Sequence, residues 1–382
     1  MLAPAKGLVI ERQPLAALAH AVVPWRQLAA RACEPNVFYE PAFALAAAPT
    51  QGRNVEAFLV WSSGTPRRLL GLFPVRHTTR RYGVKVPVLV GWTHPFGPLG
   101  TPLVDRDAAG AVTAALLDHV AADAAGSKLL LLPLLPEAGP VAQALRAAAA
   151  ARGGAHAAHA RHRRAALTPG ADDPRGLAQT IGTKRFREYN RLHRRLAETG
   201  RIDFHLARTP DDIAPALHRF LALEAQGWKG AAGTALIGSP ALHRFAETAV
   251  DALARQGGAM IAELKRDGQT IAAVVALQSG GSAWTWKIAY DEQLARFSPG
   301  LQAMTALTAA LLADPAVCFV DSCAIPDHPM IDHLWHDRIA IADLMIGATR
   351  DAQFTRACRM ESARNDLIAL ARRVRDRLRR KR

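Results

Sequence analysis

The 382-residue sequence is poor in cysteine, the residue that marks small secreted folds and structural zinc sites. It contains four cysteines and no CxxC pair; they are Cys33, Cys318, Cys323 and Cys358. Cysteines this few and this scattered argue against a disulfide framework or a zinc site, and they predict buried free thiols.

Long apolar runs are also missing. No stretch approaches the roughly 20 apolar residues that a helix needs to cross a bilayer. The opening MLAPAKGLVIERQP lacks the apolar centre of a signal peptide. We therefore expect a cytoplasmic protein, with the inner face of the membrane as the alternative.

Acidic residues are scarce relative to basic ones. Lysine and arginine number 48 against 33 aspartates and glutamates, which gives a formal net charge of +15. Such a field attracts anions such as nucleic acid, coenzyme phosphates, nucleotide sugars or acidic lipid headgroups, and it does not choose among them.

The first part of the chain reads as a self-sufficient α/β unit of about 150 residues. Apolar spacing predicts helices at 15–32, which Pro24 interrupts, and at 41–48. Strands are predicted at 56–63 and 68–77, and a proline- and glycine-rich loop with isolated strands at 84–104. A helix at 107–125, a strand at 127–135 and a helix at 138–152 complete the unit.

Three histidines, His156, His159 and His162, stand in the basic stretch 152–176 that leads into the second part. No carboxylate or cysteine accompanies them, so a solvated strand or linker is predicted instead of a metal site.

The segment 182–198 is the most basic ordered-looking part of the chain. Phe186, Tyr189, Leu192 and Leu196 recur at helical spacing, which predicts one buried stripe and a positive outer face. Two interpretations stand: a solvated face, or a helix that recognises phosphate through arginine forks. The basic residues are Lys184, Arg185, Arg187, Arg191, Arg194 and Arg195.

Three short apolar runs, at about 259–264, 270–278 and 283–290, form the most informative stretch. The turn sequences Arg266-Asp267-Gly268 and Ser279-Gly280-Gly281 between them predict an antiparallel meander. Ser298, Pro299 and Gly300 then begin a helix to about 313, where serine suits the N-cap and proline the first position. A meander that feeds an exposed helix start offers backbone N–H groups to an anion.

The rest of the second part is predicted as alternating strands and helices. Expected elements are a strand at 202–207, helices at 211–226 and 239–256, a strand at 316–326 that ends at Asp321, a turn and helix at 327–336, and a strand at 341–347. The arginine-rich tail from about 360 is predicted as a solvated helix or a tether to an anionic surface.

Several motifs occur in an order that resembles one enzyme group. They are 184–195 before a strand, Leu223–Gly230 (LEAQGWKG), the meander, KIAYDE (287–292) before Ser298-Pro299-Gly300, Val320-Asp321, and the turn from Asp327 to Trp335. Residues 182–347 resemble GNAT-fold acyltransferases of the CelD/BcsL type, associated with cellulose and other exopolysaccharide biosynthesis. It is more distantly similar to Fem-type aminoacyltransferases.

The resemblance implies two tandem GNAT-like domains, each an α/β fold with a mixed, largely antiparallel sheet flanked by helices. The domains are predicted at 1–165 and 166–358, with a basic helical tail at 359–382. The implied donor substrate is an acyl-coenzyme A such as acetyl-coenzyme A, with no metal. Arg296, Ser298 and Gly300 are the expected cofactor-binding residues, although one glycine and a proline without an N–H weaken the phosphate cradle of ordinary GNAT enzymes.

Acyl transfer needs a deprotonated nucleophile, a donor to the developing oxyanion and an acid for the leaving group. The candidates for these roles are Glu224, Lys229, Lys287, Asp321 and His328. Strand alternation predicts Thr285, Lys287 and Ala289 on one face, and Trp284, Trp286 and Tyr290 on the other. For several of these residues a structural role is the open alternative: Glu224 paired with Lys229, a salt-bridged Lys287 or a satisfied loop histidine at 328. The expected substrate-binding residues are Lys184, Arg187, Arg191, Trp228, Trp286 and Tyr290.

The predicted function is N- or O-acyl transfer to a sugar or amine acceptor in exopolysaccharide or cell-envelope synthesis. The acceptor is expected to be a phosphate-bearing small molecule or a lipid-linked sugar. One alternative is a Fem-like transferase that takes its acyl group from aminoacyl-tRNA. Another is a non-catalytic scaffold that binds membrane or nucleic acid through its basic tail.

Overall fold

The computed structural model describes residues 7–123, 126–169, 177–349 and 352–380. Residues 170–176 of the predicted linker and the last two residues of the tail lie outside this part. The first half contains β1 (Leu8–Pro14), α1 (Val22–Arg31), α2 (Pro41–Gln51), β2 (Glu56–Ser62), β3 (Leu69–Arg81), β4 (Val84–Gly91), β5 (Leu103–Val104), α3 (Ala109–Ala122), β6 (Leu129–Pro136), α4 (Pro140–Ala151) and β7 (His156–Leu167).

The second half follows in the same alternating manner, and most predicted helices and strands are present. Its elements are α5 (Leu177–Ile181), α6 (Thr183–Ala197), β8 (Ile202–Ala207), α7 (Pro210–Gln226), α8 (Trp228–Ala231), α9 (Pro240–Ala254), β9 (Ala259–Arg266), β10 (Gln269–Ser279), β11 (Ser282–Tyr290), α10 (Pro299–Leu312), β12 (Phe319–Asp321), α11 (Ile331–Leu334), β13 (Asp337–Gly347) and α12 (Ala352–Arg380).

The chain divides into two compact units whose limits differ from those of the predicted domains. The first unit comprises residues 1–36, 54–162 and 340–382, and the second comprises 37–53 and 163–339. Residues 340–358 fall in the first unit because β13 pairs with β6, from Ile341 opposite Pro136 to Gly347 opposite Leu129. An early segment that includes α2 belongs to the second unit, which no sequence pattern indicated.

In the first unit the strands lie in the order β1-β2-β3-β4-β6-β13, with β5 on β3. The pairs are antiparallel except β4 with β6, where Leu89 lies opposite Leu130. Helices α3 and α4 pack on this sheet through buried leucines and valines such as Val112, Leu116 and Leu145.

In the second unit the order is β7-β12-β11-β10-β9-β8. Here too one pair is parallel, β11 with β12. The core packs α10 on the sheet through Met304, Leu307 and Leu311, and it includes Leu196 of α6.

Each unit therefore contains the same arrangement. An antiparallel hairpin, β3–β4 or β10–β11, is followed by a helix, α3 or α10, and then by a strand parallel to the second hairpin strand. This confirms the predicted fold class, a mixed and largely antiparallel sheet flanked by helices in each half.

Residues 84–104, predicted as a loop with isolated strands, contain the eight-residue strand β4. Pro87 is accommodated because the pairing of β3 with β4 slips between Thr78 and Arg80, opposite the proline. A proline that falls at a bulge removes no regular ladder hydrogen bond, so the strand continues past it.

The predicted strand at 316–326 is much shorter than its apolar composition suggested. Only Phe319–Asp321 is extended and paired. Cys323 has a positive φ of 52° and ends the strand direction two residues after Asp321. Among the described residues, no helix has the length and apolar character required to span a membrane.

Candidate active site

The parallel strands β11 and β12 stay together for three residues and then part. Ser282, Ala283 and Trp284 lie opposite Phe319, Val320 and Asp321, where β12 ends. Strand β11 continues to Tyr290. Among the described strands none pairs with β11 on that side beyond Trp284, so backbone groups along this edge are available to side chains and ligands.

Three of the predicted catalytic residues meet beside this edge. Glu224, near the end of α7, is 2% exposed, and its Oε1 lies 3.1 Å from Lys229 Nζ and 3.9 Å from Lys287 Nζ. Its Oε2 accepts the backbone N–H of Leu236 at 2.9 Å. Lys229 Nζ also donates to the carbonyl oxygen of Ile288 on the β11 edge, at 2.9 Å. We call Glu224, Lys229 and Lys287 the lysine–glutamate cluster.

The cluster carries two ammonium groups around one carboxylate. Burial lowers the pKa of Lys287 below its usual 10.5; the Glu224 charge opposes this shift and the Lys229 charge adds to it. Both oxygens of Glu224 accept hydrogen bonds. Of the two roles left open for Glu224, this geometry favours pairing with Lys229 over acting as a base.

Lys229 is held by a short helix where a loop was predicted. Residues Trp228–Ala231 form one helical turn, and Glu292 Oε1 accepts the N–H of Trp228 at 2.6 Å. Glycine is required at position 230, since a Cβ there would lie 1.7 Å from the carbonyl oxygen of Ala225. Glu292 belongs to the quoted motif KIAYDE, but its capping role was not predicted.

The predicted division of β11 into two faces is wrong beyond Thr285. The pairing of β10 with β11 slips between Val275 and Ala276, which lie opposite Lys287 and Thr285, so Trp286 is the extra residue of a bulge. As a result Trp286 and Lys287 both contact the helices on one side: Trp286 packs on Phe245 of α9, and Lys287 pairs with Glu224 of α7.

Tyr290 lies on the other side of the strand, in the core that contains α10. A Cβ added at Gly300 would meet the Tyr290 ring at 3.0 Å. Of the two aromatic residues predicted to bind substrate on this strand, Trp286 therefore stands beside the cluster and Tyr290 beside the start of α10.

A wall of aromatic rings supports the bulge, and sequence reasoning missed most of it. Phe43, from α2, makes edge-to-face contacts with Trp286 and Phe245, with centroids 5.8 and 5.4 Å apart. Phe38 contacts Trp284 in the same way. These partners are about 200 to 250 residues apart in sequence, so no local spacing could have revealed them. Trp228, in contrast, is 58% exposed beside Lys229.

The prediction that the helix start at 298–300 is exposed is wrong. Pro299 and Gly300 are buried, and Ser298 has left-handed backbone angles, φ 51° and ψ 54°, without a side-chain capping hydrogen bond. Gln302 fills the first turn instead: its Nε2 donates to the carbonyl oxygen of Phe297, and its Oε1 lies 2.9 Å from His193 Nδ1.

The basic helix α6 lies beside this start of α10. The guanidinium groups of Arg195 and Arg296 stand 5.9 and 4.7 Å from the ring centroid of Phe297, and both arginines are exposed. Along α6 the predicted stripe is present, with Leu192 and Leu196 buried. Its outer residues Lys184, Arg187 and Arg191 are exposed, and Arg191 pairs with Glu188 at 2.6 Å.

The structure places Asp321 and His328 in other surroundings. Asp321 Oδ2 lies 2.5 Å from Arg164 Nη2 in an ion pair whose two side chains are each 2% exposed, and its Oδ1 accepts the N–H of Cys323. His328 Nδ1 accepts the backbone N–H groups of Met330 and Ile331 at 3.3 and 3.4 Å, at the start of α11. Their described contacts are thus structural and lie outside the lysine–glutamate cluster.

Residues 183–321 match the family model Acetyltransf_6, described as an acetyltransferase (GNAT) domain. This span contains the cluster, the meander and α10. It confirms the predicted enzyme class, an acyltransferase, and the matched GNAT domain extends over residues 183–321. A comparison with curated proteins found no match.

Solved structures share the fold over most of the chain. The C-terminal domain (DUF2156) of a putative lysylphosphatidylglycerol synthetase from Agrobacterium fabrum matches with TM-score 0.54 and 12% identity, over 89% of this chain and 95% of that one. FemX matches with TM-score 0.53 and 11% identity, over 85% and 95%. A conserved protein of unknown function from Bacteroides thetaiotaomicron gives 0.53 and 12%, over 88% and 99%. At such identities the likeness is one of fold, and it confirms the predicted similarity to Fem-type folds.

Proposed function

We propose that this protein transfers an acyl group from an acyl-coenzyme A to an amine or hydroxyl of a phosphate-bearing sugar precursor in exopolysaccharide or cell-envelope synthesis. The observation that carries the proposal is the lysine–glutamate cluster, which lies at the unpaired edge of β11 inside the GNAT domain. Two ammonium groups around one carboxylate leave a local positive charge where acyl transfer develops negative charge.

The chemistry assigned to the cluster is electrostatic and acidic. The acceptor nitrogen or oxygen attacks the thioester carbonyl, the carbon–sulfur bond breaks, and Lys287 gives a proton to the departing sulfur. The proton of the acceptor passes to water, and water restores the Lys287 ammonium group. A pKa lowered by burial makes that ammonium a stronger acid at neutral pH, and Lys229 stabilises the oxyanion.

Glu224 is given a positioning role in this mechanism. Its carboxylate accepts from Lys229 and faces Lys287, and the N–H of Leu236 holds its other oxygen. It therefore fixes both ammonium groups at one place on the β11 edge, and its charge keeps Lys287 protonated at a higher pH than burial alone would allow.

The donor phosphates are assigned to the start of α10. Arg195 and Arg296 flank Phe297 there with exposed guanidinium groups, which suit phosphate oxygens. Since Pro299 has no N–H and Gly300 is buried, we assign phosphate recognition mainly to these arginine side chains. The phosphate of the acceptor is assigned to the outer face of α6, with Lys184 and Arg187.

The experiment that tests the acceptor class is transfer of a radiolabelled acetyl group from acetyl-coenzyme A. The protein is incubated with nucleotide-linked amino sugars, with the same sugars lacking the nucleotide, and with an unrelated amine. Label on the nucleotide-linked sugars alone supports the proposal, whereas label only on acceptors without phosphate overturns the acceptor assignment.

A second candidate follows from the fold shared with FemX and from the basic surface: a transferase that takes its acyl group from aminoacyl-tRNA. Filter binding at matched salt separates the two donors, because phosphate contacts dominate tRNA affinity and depend on salt. Tight binding of charged tRNA together with no binding of any acyl-coenzyme A favours this second candidate.

A further inference from the structure

Helix α12, Ala352–Arg380, docks on the first unit through one face. Phe354, Ala357 and Cys358 pack against a small core formed by strands β4, β6 and β13. Nearby, Glu361 accepts hydrogen bonds from Arg81 at 2.6 Å and from the Tyr82 hydroxyl at 2.7 Å. The residues on this face therefore hold α12 against the strands of the first unit.

The opposite face carries a second apolar stripe. Ala363, Leu367, Leu370 and Val374 fall within about 60° of one another around the helix axis at 100° per residue. Ala363, the first of them, also lies at the end of a shallow surface groove formed by Ala352, Thr355, Arg356, Arg359, Met360 and Ala363.

The stripe becomes more apolar where the helix runs past its docking contacts. Leu367, Leu370 and Val374 are 67%, 57% and 48% exposed. They are three of the ten exposed large hydrophobic side chains among the described residues, and they stand on successive turns. Exposed apolar residues aligned in this way mark a binding surface, whereas scattered single ones do not.

The charge around the stripe indicates which surface it binds. The helix sequence contains nine arginines against one glutamate and two aspartates. Of the described arginines, Arg356, Arg359, Arg364 and Arg373 are exposed. An apolar stripe flanked by arginine is typical of helices that lie flat in the headgroup region of anionic membranes.

We propose that the outer stripe of α12 binds an anionic lipid surface, with the helix parallel to the membrane plane. Leu367, Leu370 and Val374 enter the acyl-chain boundary, and the arginines contact lipid phosphates. This goes beyond the acyltransferase chemistry and does not depend on it, because every residue in the argument lies in the first unit.

Two other occupants fit the surface less well. A second copy of the helix would bring arginine-rich flanks together, and like charges oppose such pairing. A nucleic acid would use the arginines but gives leucine and valine no partner, since single strands are bound by stacking on aromatic rings.

The test is cosedimentation of the full-length protein with vesicles of phosphatidylcholine alone and of phosphatidylcholine with 30% phosphatidylglycerol. Binding is expected only to the anionic vesicles and is expected to weaken with salt. In the Leu367→Glu/Leu370→Glu variant the partition coefficient should fall at least a hundredfold, because each leucine contributes roughly tenfold or more when it is buried.

The matched control is Ser362→Glu/Ala369→Glu, which adds the same two charges at exposed positions of the same helix away from the stripe. Its binding should fall only through charge, by roughly fivefold per residue. An equal loss in both variants overturns the stripe. So does wild-type protein that ignores anionic vesicles, forms a dimer by light scattering and becomes monomeric in the stripe variant. Retention of an RNA oligonucleotide in place of vesicles would also overturn it.

Discussion

The ammonium group of Lys229 lies 3.1 Å from a carboxylate oxygen of the fully buried Glu224. The two residues are only five positions apart, but Glu224 lies near the end of α7 and Lys229 lies in the single turn of α8. Lys229 also donates to the carbonyl oxygen of Ile288 on β11. This ion pair therefore links helices α7 and α8 to the edge of β11 that no described strand covers. We expect the other contacts of the cluster to depend on it.

Removing the charge of Glu224 tests that dependence. Glu224→Gln keeps an oxygen for the N–H of Leu236 but leaves two ammonium groups side by side without a counterion. We expect a loss of about 2 kcal/mol or more in the free energy of unfolding, measured in urea. Glu247→Gln is the control, because that carboxylate pairs with His218 and His243 at the surface. Equal stability of the two variants would contradict a central role for Glu224.

We expect the alkaline limb of the pH–rate profile to report the ionisation of Lys287. Its ammonium form gives up the proton, and burial lowers its pKa, so activity should be present at lower pH and lost as pH rises through a value below 10.5. Lys287→Met should lower kcat roughly a hundredfold and remove this limb. In Glu224→Gln the limb should move to lower pH, because the Glu224 charge raises the Lys287 pKa. An unchanged limb in Lys287→Met would assign the proton to another group.

The same group links stability to pH with the opposite sign. Lys287 loses its proton in the folded protein at a lower pH than in the unfolded chain, so between its folded pKa and 10.5 the unfolded state binds more protons. The free energy of unfolding should therefore rise with pH across that window in the wild type relative to Lys287→Met. Parallel stability curves for the two proteins would contradict the lowered pKa.

A side chain at position 230 should displace Lys229 through a steric clash. A methyl group there meets the Ala225 carbonyl oxygen at 1.7 Å, so Gly230→Ala must displace α8. We expect a loss of about 1–3 kcal/mol in stability and a fall in kcat. Gly238→Ala is the matched control, since nothing lies within 4 Å of its added Cβ and its φ is not positive. Thermal unfolding and turnover of both variants decide the point.

We expect substitution of Asp321 to lower the stability of the fold. Its pair with Arg164 is buried on both sides, so Asp321→Leu alone should cost about 3–5 kcal/mol by stranding the guanidinium group. The double variant Arg164→Met/Asp321→Leu should recover most of that stability and also activity. A fully folded Asp321→Leu protein with no turnover would restore the catalytic role that sequence alone suggested.

The sequence predicted the elements of the second unit well, because their signals are local. Apolar runs and the turns at Asp267-Gly268 and Gly280-Gly281 identify the meander, and these residues have the positive φ values that such turns need. The stripe of α6 follows from spacing in the same way. Lys287 was found because a lysine flanked by tryptophans on a central strand is unusual, and Glu224 and Lys229 were found because they lie in the motif Leu223–Gly230 that carries the family resemblance.

What sequence could not show depends on contacts between distant residues. The bulge at Trp286 has no glycine to mark it, and it moves Trp286 and Lys287 to one side. Phe43 and Arg164 lie outside the GNAT span and contact partners more than 150 residues away in sequence. The start of α10 is buried by Gln302 and Tyr290, and a helix-start pattern contains no information about such burial.

The central claim is that an acyl-coenzyme A binds at the start of α10 and reacts at the lysine–glutamate cluster. Calorimetric titration with acetyl-coenzyme A and longer acyl-coenzyme A species tests it most directly. Wild type should bind, Arg195→Ala/Arg296→Ala should bind roughly tenfold or more weakly through lost phosphate contacts, and Lys287→Met should bind normally while turning over slowly. Arg255→Ala, which removes an exposed arginine paired with Asp251 on α9, controls for net charge. No heat with any acyl-coenzyme A, or equal weakening in the Arg255→Ala control, would contradict the account.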